Sequence, residues 1–275
     1  MSGTLTAAEQ RAVGFPWSRE HVQRSLASTG GTVAATRLVL EEGHRCAMQI
    51  AGGTHHAHRD SGEGFCVFND IACGAHRALA EFGVRRVLVV DCDTHQGQGT
   101  AAIFEGDARV TPFSMHQAGG YPFQTRRRGA FDVELADGTG DEEYLSTLRS
   151  WLPRLFEQGG GPPELVYFQA GVDALAGDSF GRLSLSRAGM MARNHLVYTA
   201  CLQAGVPLVV VMGGGYSQPS TASVDALMRM WMFSAQPLSG SALRDLVEWH
   251  AAAVSNAHPR RSFKAGEACC GVIDK

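Results

Sequence analysis

Short, uninterrupted apolar runs recur along this chain, separated by longer stretches in which apolar residues return every three or four positions. The runs are Cys46 to Ile50, Val87 to Val90, Val110 to Met115, Phe131 to Leu135, Leu165 to Gln169 and Leu208 to Met212. Those at 87, 165 and 208 are continuously apolar rather than alternating, the pattern of parallel strands covered on both faces. Helical stretches are Arg19 to Leu26, Thr32 to Glu42, Asp70 to Phe82, Asp141 to Gln158, Arg187 to Ala204 and Ser220 to Phe233, with Asp70 and Asp141 read as caps or first-turn acids. Strand alternating with helix predicts one α/β domain on a mainly parallel sheet, occupying residues 1–254. From about Ser255 the periodicity is lost, and 255–275 reads as a loosely attached, flexible tail.

Composition narrows the function classes. The 275 residues carry 24 Lys and Arg against 27 Asp and Glu, a formal charge of -3 that argues against direct nucleic-acid binding. No apolar run reaches the ~18 residues of a membrane span, and the start lacks the charged head and apolar stretch of a secretion signal. The expectation is a cytoplasmic protein without a membrane partner. Seven cysteines with no C-x-x-C pair indicate neither a disulfide framework nor a structural zinc knuckle, and the internal ones are expected reduced and buried. What departs from an ordinary composition is 33 glycines and a clustering of histidine: seven of the 11 lie between His44 and His116.

In open α/β sheets ligands bind beyond the carboxyl ends of the strands, and polar, glycine-rich segments fall there: GGTHHAH, DCDTHQGQG, AGVD and GGGY. In DCDTH, Asp91, Asp93 and His95 alternate, so an extended segment points all three to one face. Asp93 and His95 could then share a metal with Asp91 behind them, and Asp173 could supply a third ligand. Two carboxylates and an imidazole suit catalytic zinc, or iron(II), better than a closed structural site. Taken alone, the same acids equally fit solvated loop residues or caps. The doublet His55-His56 can act as general base and acid toward metal-activated water, though adjacent loop histidines are often incidental. Tyr216, after three glycines, can donate to a developing oxyanion or simply pack. Phe65, between Gly64 and Cys66, reads either as core or as the wall of a narrow apolar channel. Arg126-Arg127-Arg128 reads as a solvated face.

Rival motifs are weaker. Gly177-Asp178-Ser179-Phe180-Gly181 fits G-x-S-x-G, but a nucleophile elbow must join strand directly to helix. Gly97-Gln98-Gly99-Thr100-Ala101-Ala102 fits G-x-G-x-x-A, but Asp91, Asp93 and His95 intervene between strand and glycines. A two-metal hydrolase would want another acid where Gly97 stands.

Taken together, GGTHHAHRDSGEGFCVFND, VLVVDCDTHQGQGT, QAGVDALAGDSFGRLSLS and MGGGYS resemble the histone deacetylase family of the arginase/deacetylase superfamily, class IV and bacterial members most of all, from about Gly30 to Phe233. The resemblance implies a three-layer α-β-α fold and a zinc-dependent amidohydrolase acting on an acyl-lysine peptide or protein, or on an acylated amine such as an acetylpolyamine. It implies Asp93, His95 and Asp173 as metal ligands, His55 and His56 as the tandem histidines with Asp91 and Gln98 behind them, and Tyr216 as the oxyanion donor. Gly64, Phe65 and Gly214 would contact substrate. A structural K+ would fall at Asp91, Asp93, Ser114 and the Met115 backbone. Two departures carry expectations of their own. Gln98 stands where related chains have an acid or Asn, so His56 is expected to have a lowered pKa. Only 54 residues precede His55, so the N-terminal edge strands are expected to be missing, leaving the strand at 46–50 as an exposed edge open to a second copy. A homologue that kept the fold but lost catalysis is the alternative from another class, and metal content with turnover separates the two.

Overall fold

The computed structural model describes residues 3–217 and the backbone strand at 270–273. Its centre is a seven-stranded sheet formed by β1 (Cys46–Gln49), β2 (Val87–Asp91), β3 (Val110–Gln117), β4 (Phe131–Leu135), β5 (Leu165–Gln169), β6 (Leu208–Val211) and β7 (Cys270–Ile273), in the order β4-β3-β2-β5-β6-β1-β7. The first six strands run parallel, and β7 adds antiparallel to β1. Helices are α1 (Ala7–Val13), α2 (Arg19–Leu40), α3 (Asp70–Glu81), α4 (Gln98–Ile103), α5 (Asp141–Glu157) and α6 (Arg187–Ala204).

Strand period 2 builds the three layers. Leu88, Val90, Val166, Phe168 and Val210 point toward Leu148 and Leu155 of α5 and Val197 and Cys201 of α6. Their neighbours Val87, Val89, Leu165, Tyr167 and Val209 point the other way, against Ala35 and Val39 of α2 and Ile71, Ala75 and Ala78 of α3. Each such buried Val or Leu contributes about 1.5–3 kcal/mol, which is why these strands are apolar at consecutive positions. The chain is therefore the predicted three-layer α-β-α fold.

Three expectations change. The helices at 19–26 and 32–42 are one helix, α2, running through Gly30-Gly31. Gly31 is small because α2 lies against β1 there: a Cβ would sit 1.6 Å from the Gln49 amide nitrogen. The short elements α1 and α4 carry too few periodic positions to be read in advance. Finally, β1 is not an edge: its outer backbone groups pair with β7, four residues inside the supposed tail, so among the described residues β7 and not β1 is the last strand on that side. The helix expected at 220–233, and the rest of 255–275, lie outside the described residues. None of the described helices is long and apolar enough to cross a membrane.

The order of strands positions the site. From β2 the chain winds outward through β3 and β4, then returns to β5 on the other side of β2 and winds away through β6. Such a reversal leaves a crevice at the carboxyl ends of the two central strands, here those of β2 and β5.

Candidate active site

β2 ends at Asp91, and the following residues leave the strand in bends rather than continuing extended. Convergence comes instead from carboxylates binding nearby backbone. The Asp93 N–H donates to Asp91 Oδ1 (3.1 Å), the His95 N–H to Asp93 Oδ1 (3.0 Å) and the Thr94 N–H to Asp173 Oδ1 (2.9 Å). This draws the loop after β5 onto the loop after β2. Donor atoms of Asp93, His95 and Asp173, all buried, lie within 4.8 Å of one another. His95 Nδ1 is 3.1 Å from both Asp93 Oδ1 and Asp173 Oδ2. One imidazole nitrogen has a single proton or lone pair for two carboxylates, so the set fits a cation held among all three. Burial and the Asp93 charge push the Asp173 carboxyl up to about 7. Burial opposes charge on His95, yet Asp173 and Asp93 raise it to about 10.

The tandem histidines sit beside this group. His55 Nδ1 lies 2.6 Å from Asp91 Oδ2, His56 Nδ1 lies 2.7 Å from Gln98 Oε1, and the two Nε2 atoms are 3.2 Å apart. Burial disfavours the His55 cation, but Asp91 and Asp93 outweigh it and raise the ring to about 9. Burial and the neighbouring His55 hold His56 well below its ordinary value. That is the expected direction, but burial and His55 cause it, and the hydrogen bond to Gln98 acts the other way. An imidazolium at His55 can donate from Nε2 to the lone pair of His56 Nε2, while Gln98 accepts from Nδ1–H.

Two neighbours hold this loop. The buried Asp70 carboxylate accepts from the Gly53 and Thr54 N–H groups at 3.0 and 2.7 Å, and Asn69 Nδ2 donates to the Ala57 carbonyl at 3.1 Å. Asp70 is thus more than a first-turn acid, and Asn69 is the cap of α3. Gly99, on the first turn of α4, allows the close approach: a Cβ would lie 2.4 Å from the Ala57 carbonyl oxygen. The glycines of GQGTAA therefore serve the histidine loop, not a phosphate. The G-x-S-x-G stretch likewise makes no elbow, since β5 ends at Gln169 and α6 begins only at Arg187.

A cavity of about 510 Å³ opens above His56 and His95, lined by Gly64, Phe65, Tyr121, Phe180 and Tyr216 among others. Gly64 and Phe65 both take positive φ, and a Cβ on Gly64 would meet His56 at 2.7 Å and the Tyr121 ring at 2.9 Å. Phe65 is 47 % exposed, so it belongs to the pocket wall and not to the core. The Tyr216 N–H donates to Asp178 Oδ2 (2.6 Å), and its ring centroid is 6.5 Å from that of His95. Burial, then the charges of Asp93 and Asp173, raise its phenol, which stays a protonated donor. Gly214 lies behind the carboxylates instead of on the pocket wall, its N–H 2.9 Å from Asp93 Oδ2. Asp91 and Ser114 are register partners across β2 and β3, with Ser114 Oγ 2.9 Å from His116 Nδ1 and Met115 buried in the core beside them.

Tyr121 was not singled out in advance. Its ring stands edge-on to His56 at 4.9 Å, and its hydroxyl donates to Glu63 Oε1 at 2.9 Å. The available signal was a Gly-Gly-Tyr-Pro turn just past β3, at the same sheet edge as the other motifs. Arg126 departs from the solvated reading: it donates to the Gln117 and Gly120 carbonyls, each at 3.0 Å, and so pins the Tyr121 loop, whereas Arg127 and Arg128 are exposed.

A three-layer α/β sheet with two loops of acids and histidine meeting at its central crevice defines the arginase/deacetylase type of fold. The family model of the histone deacetylase domain matches residues 4–230. An uncharacterized protein of Picosynechococcus sp. is 44% identical over 217 residues, covering 78% of this chain and 70% of that protein. Histone deacetylase 2 of Arabidopsis thaliana is 36% identical over 76% of this chain, and histone deacetylase 8 of Xenopus laevis 30% identical over 80%. The chain spans 54% of the plant protein's length and 67% of the frog protein's. This chain belongs to the histone deacetylase family.

Proposed function

We propose that this chain is a metal-dependent hydrolase that removes an acyl group from the side-chain amine of lysine or from a comparable alkylamine. The observation that carries this reading is the meeting of Asp93, His95 and Asp173 with a carboxylate-backed and an amide-backed histidine at the floor of an aromatic pocket. A divalent ion held by those three residues, zinc or iron(II), supplies Lewis acidity toward the amide carbonyl and acidifies water. The remaining work falls to the protein. His56, neutral and oriented through Gln98, takes a proton at Nε2, and His55, kept cationic by Asp91, offers one to the departing amine. Tyr216 donates to the oxyanion as it forms, an interaction typically worth about 3 kcal/mol. Phe65 and Tyr121 flank the alkyl chain that leads to the amide and exclude water around it.

The test is a panel of acyl-lysine peptides of increasing acyl length, together with acetylpolyamines, assayed with zinc-loaded and iron(II)-loaded protein. Turnover of at least one substrate, abolished by His56→Ala with metal still bound, supports the reading. Stoichiometric metal without turnover of any member refutes it in favour of a non-catalytic homologue.

A further inference from the structure

One buried charge is not used by this chemistry. Arg193, on α6, is fully buried, and all five of its N–H groups are engaged without a carboxylate. Nη1 donates to the carbonyls of Cys92 (3.1 Å) and Gly171 (2.6 Å), and Nη2 to that of Ala170 (3.0 Å). Asn194 Oδ1 accepts from Nε at 3.0 Å and from Nη2 at 2.9 Å, fixing the plane of the guanidinium.

The place of these three carbonyls matters. The β2–β5 ladder ends at the pair Asp91 and Gln169, with a last bond from the Cys92 N–H to the Gln169 carbonyl at 3.0 Å. Beyond it the two strands part, and among the described residues their next carbonyls have no strand partner; the guanidinium fills that gap and joins one loop to the other. Cys92 lies directly between Asp91 and Asp93, and Gly171 is two residues before Asp173. Gly171 also touches the opposite ligand, since a Cβ there would lie 2.2 Å from Asp93 Oδ2. A shift of either peptide therefore moves Asp93 against Asp173.

We propose that Arg193 is a positioning residue for the metal-binding group, setting the separation of the Asp93 and Asp173 loops through its fork of carbonyl bonds. This rests on reading Asp93, His95 and Asp173 as metal ligands. A lysine keeps the charge but presents a single point donor in place of a planar fork, so it cannot hold both loops in one geometry.

The test titrates metal-stripped protein with Co2+, reading affinity and the visible absorption band, alongside thermal unfolding. Arg193→Lys is expected to bind Co2+ about tenfold or more weakly, the range found when groups supporting metal ligands are altered, and to shift the band. Asn194→Ala, which keeps the guanidinium but frees its plane, is expected to weaken binding several-fold. Leu155→Ala, a core truncation on α5, should lower the melting temperature while leaving affinity and band as in the parent. Should Arg193→Lys fail to fold, Asn194→Ala decides alone. Parental affinity and band in the folded variants overturn the proposal, as does an equal loss of affinity in Leu155→Ala. If the parent binds no Co2+, or Asp173→Ala binds it equally well, the ligand reading itself falls and takes the proposal with it.

Discussion

Gln98→Glu changes one atom type at the most sensitive point of the proton-transfer pair. Gln98 is fully buried, its Oε1 lies 2.7 Å from His56 Nδ1, and its Nε2 has no hydrogen-bond partner among the described residues. A carboxylate of the same shape therefore loses no bond and places a negative charge against the ring. Taking about 4 Å between charge centres and an effective dielectric of about 20, the attraction is about 4 kcal/mol, or about 3 pKa units. Burial of the new carboxylate opposes this, so the net rise is smaller but keeps its sign. The sign follows from the role of His56 as base. In the parent its pKa is held well below 6.5 by burial and by His55, so the ring is neutral and competent at neutral pH. In the variant it is protonated over a wider range, and kcat/KM falls from the acid side. The assay is kcat/KM against pH, from about 5.5 to about 9, on metal-loaded protein with an acetyl-lysine peptide. The acidic limb should move to higher pH with the alkaline plateau nearly regained. An unmoved acidic limb in a folded, metal-loaded variant refutes the assignment of His56 as the base oriented through residue 98.

Tyr216→Phe is expected to retain metal and lose about 10²–10³ in kcat; unchanged kcat in steady-state assays would remove its oxyanion role. Gly99→Ala drives a methyl against the backbone of His56 and Ala57; we expect a loss of about 1–3 kcal/mol in denaturant unfolding together with a lower kcat, and a fully active, equally stable variant would contradict the packing argument. Metal uptake should release protons, because His95 at about 10 and Asp173 at about 7 still hold them near neutrality and ligation needs both free. Affinity then falls as pH falls, and calorimetry in two buffers of different ionisation enthalpy should differ by about one to two protons' worth; identical enthalpies would be the contrary result.

How much of this was legible in the chain depended on range. Continuous apolar runs marked β2, β5 and β6 because both faces of those strands are covered, and the motifs fell at their carboxyl ends because the polypeptide emerges there. The stretches at 19–26 and 32–42 read as two helices because glycines within a helix, such as Gly31 seated beside the Gln49 side chain, look the same in sequence as a break. Asp70 looked like a helix cap, and only the folded loop reveals it holding Gly53 and Thr54. Tyr121 carried only the weak signal of its Gly-Gly-Tyr-Pro turn, and Arg193 carried no local signal at all. Their roles come from partners far away in sequence, such as Cys92 for Arg193, and no periodicity encodes such a meeting. The same holds for β7, whose four residues are too short a run to announce pairing with β1.

The central claim is that Asp93, His95 and Asp173 hold a metal ion on which amide hydrolysis depends. It is tested most directly by stripping the protein of metal, restoring zinc, and measuring bound metal and acetyl-lysine hydrolysis in the same samples of parent and Asp173→Ala. About one ion per chain with restored turnover is expected in the parent, and loss of both together in the variant. Turnover that survives in Asp173→Ala, or a parent that hydrolyses the peptide without metal, would contradict it.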